Sequence, residues 1–245
     1  MGLTGLVAVV TGGARGLGAA IVDRLHAAGA RVVYGDLHTH DTGDTDAPAY
    51  HPLDVCDRAS WDALANHVRA TYGRLDILVN NAGTSARRGF LETSDEDWDR
   101  VLRTNLWAPW TGIRTFVDEL AASRHASVVN IGSIYGQAPP PGPPAPPSSI
   151  AYQVSKAGLH MMTKSAAVEL AGRGIRVNAV LPGVFVTTLL QDLTEEQLQT
   201  RVGPTPMGRP GEFDELADAV TYLASDRASY VTGALLPVDG GYLAG

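Results

Sequence analysis

Short apolar runs rich in β-branched residues alternate along this chain with stretches whose apolar residues recur every three or four positions. The first run, Leu6 to Val10, reads as a buried parallel strand because both of its faces are apolar. It leads into Thr11-Gly12-Gly13-Ala14-Arg15-Gly16-Leu17-Gly18. Leu17, Ile21, Leu25 and Ala28 then fall on one helical face, and Gly29 stops that helix. Arg31 to Gly35 is a second strand, closed by Asp36. Residues 37–49 are polar and carry turn formers, so a loop is expected where a helix would ordinarily connect two strands. Tyr50 to Leu53 is a short strand whose Pro52 suits a sheet edge.

The alternation continues. Trp61, Leu64, Ala65 and Val68 mark a helix over 60–72, Leu75 to Val79 a fourth strand, and Ser94-Asp95-Glu96-Asp97 a capped helix start. That helix is expected to run to about residue 122, with Pro109 inside it. A proline there lacks the N–H that would bond the carbonyl of Asn105, which predicts a kink and a main-chain oxygen left for another partner. Ala126 to Ile131 is a fifth strand, 149–171 a long helix, and Ile175 to Leu181 a sixth strand. A capping box at Thr194, a helix over 212–224 and a last strand over 234–238 complete the pattern. Seven strands alternating with helices predict an α/β fold, a doubly wound seven-stranded parallel sheet with helices on both faces, as a single domain over 1–245.

Composition narrows the function. The net charge of −7 argues against nucleic acid as a partner. The apolar runs have strand length, which argues against a membrane partner. A single cysteine, Cys56, excludes an internal disulfide framework, and no leader pattern opens the chain, so a cytoplasmic location is expected. Seven prolines fall within 138–149, which excludes helix and predicts an extended, rigid segment: either a surface loop or a wall over the active site.

The candidate chemistry lies at the strand ends. A glycine loop between a strand and a helix lets the backbone approach a pyrophosphate, which the helix N-terminus attracts. Gly12, Arg15, Gly16, Leu17 and Gly18 are therefore candidate dinucleotide contacts, and the fold is expected to be Rossmann-like. Asp36 is placed to accept hydrogen bonds from the adenosine ribose and to repel a 2′-phosphate. NAD is thus expected over NADP, although Arg15 pulls the other way. Asp54 and Val55 are expected near the adenine, and Asn81, Ala82 and Gly83 beside the cofactor. Pro182, Gly183, Val184 and Thr187 are expected toward the nicotinamide. His38 and His40 near Asp36 and Asp41 are read as a solvated loop, with no metal.

Tyr152 and Lys156 are four apart on one helical face. A nearby cation lowers a phenol's pKa from about 10, which suits acid–base work near neutrality. The chain has 17 arginines and only two lysines, at 156 and 164, so a lysine at 156 stands out. Ile134, Ile150, Val184, Phe185, Leu189 and Leu190 are expected to make a mainly apolar pocket. Arg87 and Arg88 are read as a solvated loop, with contact to an anionic group as the alternative.

Taken together, Thr11 to Gly18, Asn80-Asn81-Ala82-Gly83, Asn105, Ser133, Tyr152 with Lys156, and Pro182-Gly183 with Thr187 resemble the short-chain dehydrogenase/reductase family over essentially the whole chain. The resemblance implies a catalytic tetrad of Asn105, Ser133, Tyr152 and Lys156, a homo-oligomer (dimer or tetramer), and a small-molecule substrate. It also implies that the asparagine main-chain carbonyl holds a water linking the lysine to solvent. The activity then expected is hydride transfer between NAD(H) and a secondary alcohol or ketone, apolar or cyclic. The alternatives are an NADP(H)-dependent ketoreductase, an epimerase or dehydratase on the same fold, and a non-catalytic binding protein. The 19-residue step from Ser133 to Tyr152 is longer than the family's, and the proline run is the excess.

Overall fold

A computed structural model of the protein describes residues 2–38, 47–86, 88–142, 149–187 and 193–245. Its centre is a parallel sheet of strands β1 (Val7–Thr11), β2 (Arg31–Asp36), β3 (Ala49–Pro52), β4 (Ile77–Asn80), β5 (Ser127–Ile131), β6 (Arg176–Pro182) and β7 (Leu235–Val238). The order across the sheet is β3-β2-β1-β4-β5-β6-β7. Pro52 therefore lies on an edge strand, where its missing N–H costs no ladder bond on the open side. Chain direction reverses its outward march between β1 and β4, and every strand delivers its C-terminal end to the same rim.

Strand alternation splits the core into two layers. Ala8 and Val10 of β1 pack with Ile21, Leu25, Leu216 and Val220 on one face. Val7 and Val9 pack with Trp61, Leu64, Phe116 and Leu120 on the other. The first face is covered by helices α1 (Gly16–Ala27) and a late helix, Phe213–Ala224; the second by α2 (Arg58–Tyr72) and the helix Ala108–Ala122. Trp61 is fully buried, and Gly112 makes room for it: a Cβ there would lie 2.7 Å from the indole ring.

The segment expected to be one kinked helix is three pieces. Helix α3 (Asp95–Leu102), capped by the Ser94 side chain, passes into a π-helical turn over Arg103–Trp107 and then into α4 (Ala108–Ala122). Pro109 acts through this wider turn. The Ala108 N–H reaches back five residues to the Arg103 carbonyl, so the helix accommodates the proline by an added residue in the turn. The remaining helices are α5 (Ile150–Leu170), α6 (Glu195–Val202) and α7 (Phe213–Ala224). α6 opens with the expected capping box between Thr194 and Gln197. None of these helices is long and apolar enough to cross a membrane among the described residues.

The N-terminal side of the sheet is tied by one carboxylate. Asp76, fully buried, accepts hydrogen bonds from the Val7 N–H at 2.8 Å, from the Arg74 guanidinium and from the Ser123 hydroxyl. It joins β1, β4 and the turn before β5. Removing this carboxylate leaves a buried N–H, a hydroxyl and a guanidinium short of an acceptor. Asp76→Ala is expected to lower unfolding stability by about 3 kcal/mol, read as a drop in the urea midpoint at unchanged slope.

Candidate active site

The loop after β1 is shaped by backbone crowding. Gly12 has φ +66, and a Cβ there would lie 2.9 Å from the Ala82 Cα. A Cβ on Gly18 would lie 1.9 Å from the Gly12 carbonyl oxygen, so no side chain fits. Both sides of the loop are anchored. The Asp36 carboxylate accepts from the Ala14 N–H at 3.1 Å and from the His38 N–H at 3.2 Å. The Asn81 amide donates to the carbonyls of Thr11 and Gly12 at 3.0 and 2.9 Å, and the Thr11 hydroxyl accepts from the N–H groups of Asn81 and Ala82, both at 3.0 Å. Helix α1 starts at Gly16 with no side-chain cap, since Arg15 is extended and its side chain is exposed. First-turn N–H groups without a side-chain acceptor, beside a glycine cradle, fit the pyrophosphate of a dinucleotide.

Other expected cofactor residues lie along the same rim. Asp54 follows β3, is exposed, and accepts from the Cys56 N–H at 2.8 Å; the Val55 carbonyl accepts from the Trp61 indole at 2.9 Å. Pro182 ends β6. Gly183 donates to the Val238 carbonyl at 2.9 Å, in a place where a Cβ would lie 2.6 Å from the Asp239 Cα. Val184 is buried, and the Thr187 N–H turns back to the Phe185 carbonyl at 2.8 Å.

The tetrad residues come from three elements. Asn105 sits in the π-helical turn, fully buried. Its amide donates to the Thr84 carbonyl at 2.9 Å and to the Ser155 hydroxyl at 3.0 Å, and its oxygen accepts from the Thr84 N–H at 2.9 Å. The Ser155 hydroxyl in turn donates to the Tyr152 carbonyl at 2.7 Å. Ser149, also fully buried, caps α5 by accepting from the Tyr152 N–H at 3.3 Å. The Ser133 hydroxyl follows β5, accepts from the Tyr135 N–H at 3.1 Å and hydrogen-bonds the Tyr152 phenol. Lys156 donates to the Ile131 carbonyl at 2.6 Å, and its nitrogen lies 5.6 Å from the centre of the Tyr152 ring. Gly83 adjoins it: a Cβ there would lie 3.8 Å from the lysine nitrogen.

Burial dominates the electrostatics here. It pushes the Lys156 ammonium down to about 8. It pushes the Tyr152 phenol up, against the lowering effect of the Ser133 hydrogen bond. The lysine thus does not bring the tyrosine down in this state, contrary to the expectation from spacing alone. Its head group is turned to a carbonyl, and desolvation of the phenolate outweighs it.

His160, one turn beyond Lys156, is a neighbour that sequence reading missed. It is buried and is held down to about 4 by desolvation, then by the charges of Lys156 and Lys164. Its ring sits against Gly132 and Gly136, where Cβ atoms would lie 2.7 and 2.5 Å away, and it accepts a long hydrogen bond from the Ser133 N–H at 3.5 Å. Thr11, Thr84, Ser149 and Ser155 were also missed as positioning residues. The cap spacing of Ser149 and the place of Ser155 between Tyr152 and Lys156 were the available signals.

The expected apolar pocket is partly corrected. Ile134 is fully buried, and Val184 and Phe185 are buried and line a separate cavity of about 310 Å³ with Met207, Pro210 and Gly211, which no tetrad residue lines. Adjacency in sequence misled for Ile134, which is buried and is not part of that cavity's wall. Arg88 pairs with Asp97 at 3.0 Å. Arg87, His40, Asp41, Leu189 and Leu190 lie outside the described residues, as does the proline run from 143 to 148.

A neutral buried imidazole makes stability depend on pH. His160 is neutral in the folded state down to about 4 but protonates near 6.5 when unfolded. Between these values the unfolded chain binds more protons, so stability is full above 6.5 and is lost as pH falls toward 4. Discounted for solvent screening, the loss is on the order of 2 kcal/mol. Denaturant titrations between pH 7 and 4 are expected to give a shallower pH slope for His160→Leu than for the natural protein.

Comparison with known proteins agrees with this geometry. The family model described as Enoyl-(Acyl carrier protein) reductase matches residues 12–243. The chain is 38% identical over 252 residues to 2,5-dichloro-2,5-cyclohexadiene-1,4-diol dehydrogenase of Sphingobium indicum, covering 99% of this chain and 98% of that protein. It is 36% identical over 249 residues to the 3-oxoacyl-acyl-carrier-protein reductase of Thermotoga maritima, covering 98% and 99%. Among solved structures, the aldohexose dehydrogenase of Thermoplasma acidophilum in ligand-free form superposes with a TM-score of 0.87 at 30% identity, covering 99% of this chain and 96% of that one. With a glycine cradle, a Ser–Tyr–Lys cluster and these relatives over nearly its full length, the chain belongs to the short-chain dehydrogenase/reductase family.

Proposed function

We propose that this protein is an NAD(H)-dependent oxidoreductase that interconverts a secondary alcohol, borne on an apolar ring, with the corresponding ketone. The observation that carries this reading is the Ser133 hydroxyl on the Tyr152 phenol, with Lys156 buried beside them and Gly83 at its head group. The name of the Sphingobium relative, a dehydrogenase of a cyclic diol, supports a cyclic substrate.

The family uses a nicotinamide cofactor, which when bound gives or takes the hydride. Gly12, Arg15, Gly16, Leu17 and Gly18 would hold its pyrophosphate, and Asp36 the adenosine ribose. Asp54 and Val55 would flank the adenine. Asn81, Ala82 and Gly83 would lie beside it, with Pro182, Gly183, Val184 and Thr187 on the nicotinamide side. Lys156 and Tyr152 would reach the nicotinamide ribose. Because two N–H groups fix Asp36 at the end of β2, its charge favours NAD over the 2′-phosphate of NADP.

Tyr152 gives its proton to the substrate oxygen during reduction, and its raised pKa keeps that proton in place at neutral pH. Ser133 donates to the same oxygen as negative charge grows there. In oxidation Tyr152 acts as its phenolate, which the Lys156 cation would stabilise, and takes the hydroxyl proton of the substrate. Asn105 holds the loop at Thr84 with its side chain, while Pro109 withholds an N–H from its carbonyl. That carbonyl is thereby suited to a water on the proton path to Lys156.

The outer face of α5 carries Val154, Met161 and Val168, exposed and spaced by seven. Two helical turns separate each, so they form one apolar stripe. We assign it to a second copy of the chain, in a homo-oligomer.

Three measurements test these readings. Mixed with a panel of cyclic ketones, the protein is expected to consume NADH at least about tenfold faster than NADPH. Tyr152→Phe is expected to cut kcat by about 10³-fold while NADH binding, followed by fluorescence, persists. Turnover that survives in Tyr152→Phe sinks the assignment. In sedimentation velocity, Met161→Glu with Val168→Glu is expected to convert an oligomer to a folded monomer; an unchanged sedimentation coefficient would assign the stripe elsewhere.

A further inference from the structure

We infer that Arg103 is a positioning residue for the adenine end of the cofactor site: its guanidinium holds the Cys56 carbonyl and so fixes Asp54 and Val55 against the turn that carries Asn105. This rests on the reading that Asp54 and Val55 flank the adenine of a dinucleotide. The segment lies where that reading needs it. Pro52, at the end of β3, is in register with Asp36, and the Leu53 N–H donates to the Asp36 carbonyl at 3.0 Å. Asp54 and Val55 thus continue the rim beyond the carboxylate assigned to the ribose.

The turn over residues 54–57 is tied on several sides. The Asp57 N–H donates to the Asp54 carbonyl at 3.0 Å, the Cys56 N–H to the Asp54 carboxylate at 2.8 Å, and the Asp54 N–H to the Ser60 hydroxyl at 2.9 Å. The Trp61 indole holds the Val55 carbonyl from the core side at 2.9 Å. The Cys56 carbonyl is met by a residue 47 positions away. Arg103 donates its Nε–H at 3.1 Å and an Nη–H at 2.9 Å to this one oxygen. Its guanidinium carbon lies 3.9 Å from the centre of the Trp107 ring, in the same π-helical turn, and that stacking orients the fork. Thr104 adds a contact. Its hydroxyl hydrogen goes to the Arg100 carbonyl at 2.9 Å, so at 3.3 Å it is the Cys56 thiol that donates to the Thr104 oxygen.

Three consecutive residues therefore act in two directions. Arg103 and Thr104 meet Cys56, while Asn105 meets Thr84 and Ser155 and, through Ser155, the Tyr152 main chain. The adenine end and the proton-transfer end of the site are fastened to one turn of helix. A planar fork takes one carbonyl with two N–H groups, which a lysine, a point charge on a flexible stem, does not reproduce. Arg103 is exposed, so its loss opens no core cavity and unties only the loop. An untied loop must be ordered again each time the adenosine half binds, and that loss of freedom weakens binding.

The test compares NADH with reduced nicotinamide mononucleotide, which lacks the adenosine half. Arg103→Met is expected to raise KM for NADH about tenfold, with kcat held within about twofold, and to leave KM for the mononucleotide unchanged. Arg103→Lys, which keeps the charge and loses the fork, is expected to fall between the natural protein and Arg103→Met. Equal changes with both cofactors, or a fall in kcat alone, would make Arg103 a general structural residue and overturn the inference, as would no change with either. Calorimetric titration with adenosine monophosphate needs no turnover and separates the two readings. The natural protein is expected to bind it about tenfold more tightly than Arg103→Met. That difference, in a protein that turns over no ketone, overturns only the hydride-transfer reading. Equal affinities, or no binding by the natural protein, overturn the role of Arg103.

Discussion

The buried amide of Asn105 is the interaction on which this site depends. Its three hydrogen bonds join the loop after β4, the π-helical turn and the first turns of α5. Ser155 carries the connection to the Tyr152 main chain, so the rotation of α5 about its own axis is fixed by a side chain on another helix. A helix rotated by one residue would swing Tyr152 and Lys156 about 100° away from Ser133. Leaving the fully buried Asn105 amide or Ser155 hydroxyl unpaired would cost about 1–3 kcal/mol, which is what makes the amide a strict gauge of register.

A second consequence of burial is that the site favours uncharged groups. Lys156, His160 and Tyr152 are each pushed toward their neutral forms by desolvation. For the lysine this opposes its role as a cation, and its bond to the Ile131 carbonyl is what holds the ammonium in place. For the tyrosine it keeps the proton on until a compensating charge arrives. His160 fits the same scheme as a neutral wedge between Gly132 and Gly136, able to accept from the Ser133 N–H only while unprotonated. The site thus holds its titratable groups by geometry in a poorly solvated place.

Periodicity made most of the fold legible. Both-face apolar runs mark parallel strands, and the Leu17, Ile21, Leu25 spacing marks a helix whatever its partners, because side-chain direction follows from backbone geometry alone. The edge position of β3 was readable from Pro52, and the α6 start from the capping box. The site was legible where function needs a local spacing, as with Tyr152 and Lys156. It was not legible where the partner comes from elsewhere in the chain. Asn81 carried an amide whose value as a clamp appears only once β1 and β4 are adjacent. Ile134 was read as a pocket wall from its neighbours, yet it is fully buried, and Val184 and Phe185 line a cavity that no tetrad residue lines.

The sequence by itself determined the strands, the glycine cradle and the residues able to exchange a proton, since these follow from local sterics and intrinsic chemistry. Only the tertiary structure decided how Pro109 is accommodated, through a π-helical turn, and which way the pKa values move, because desolvation depends on what surrounds a group in space. It alone brought Arg201 to Tyr135 across 66 residues of chain, and Tyr242 across more than a hundred. Long-range packing has no local signature.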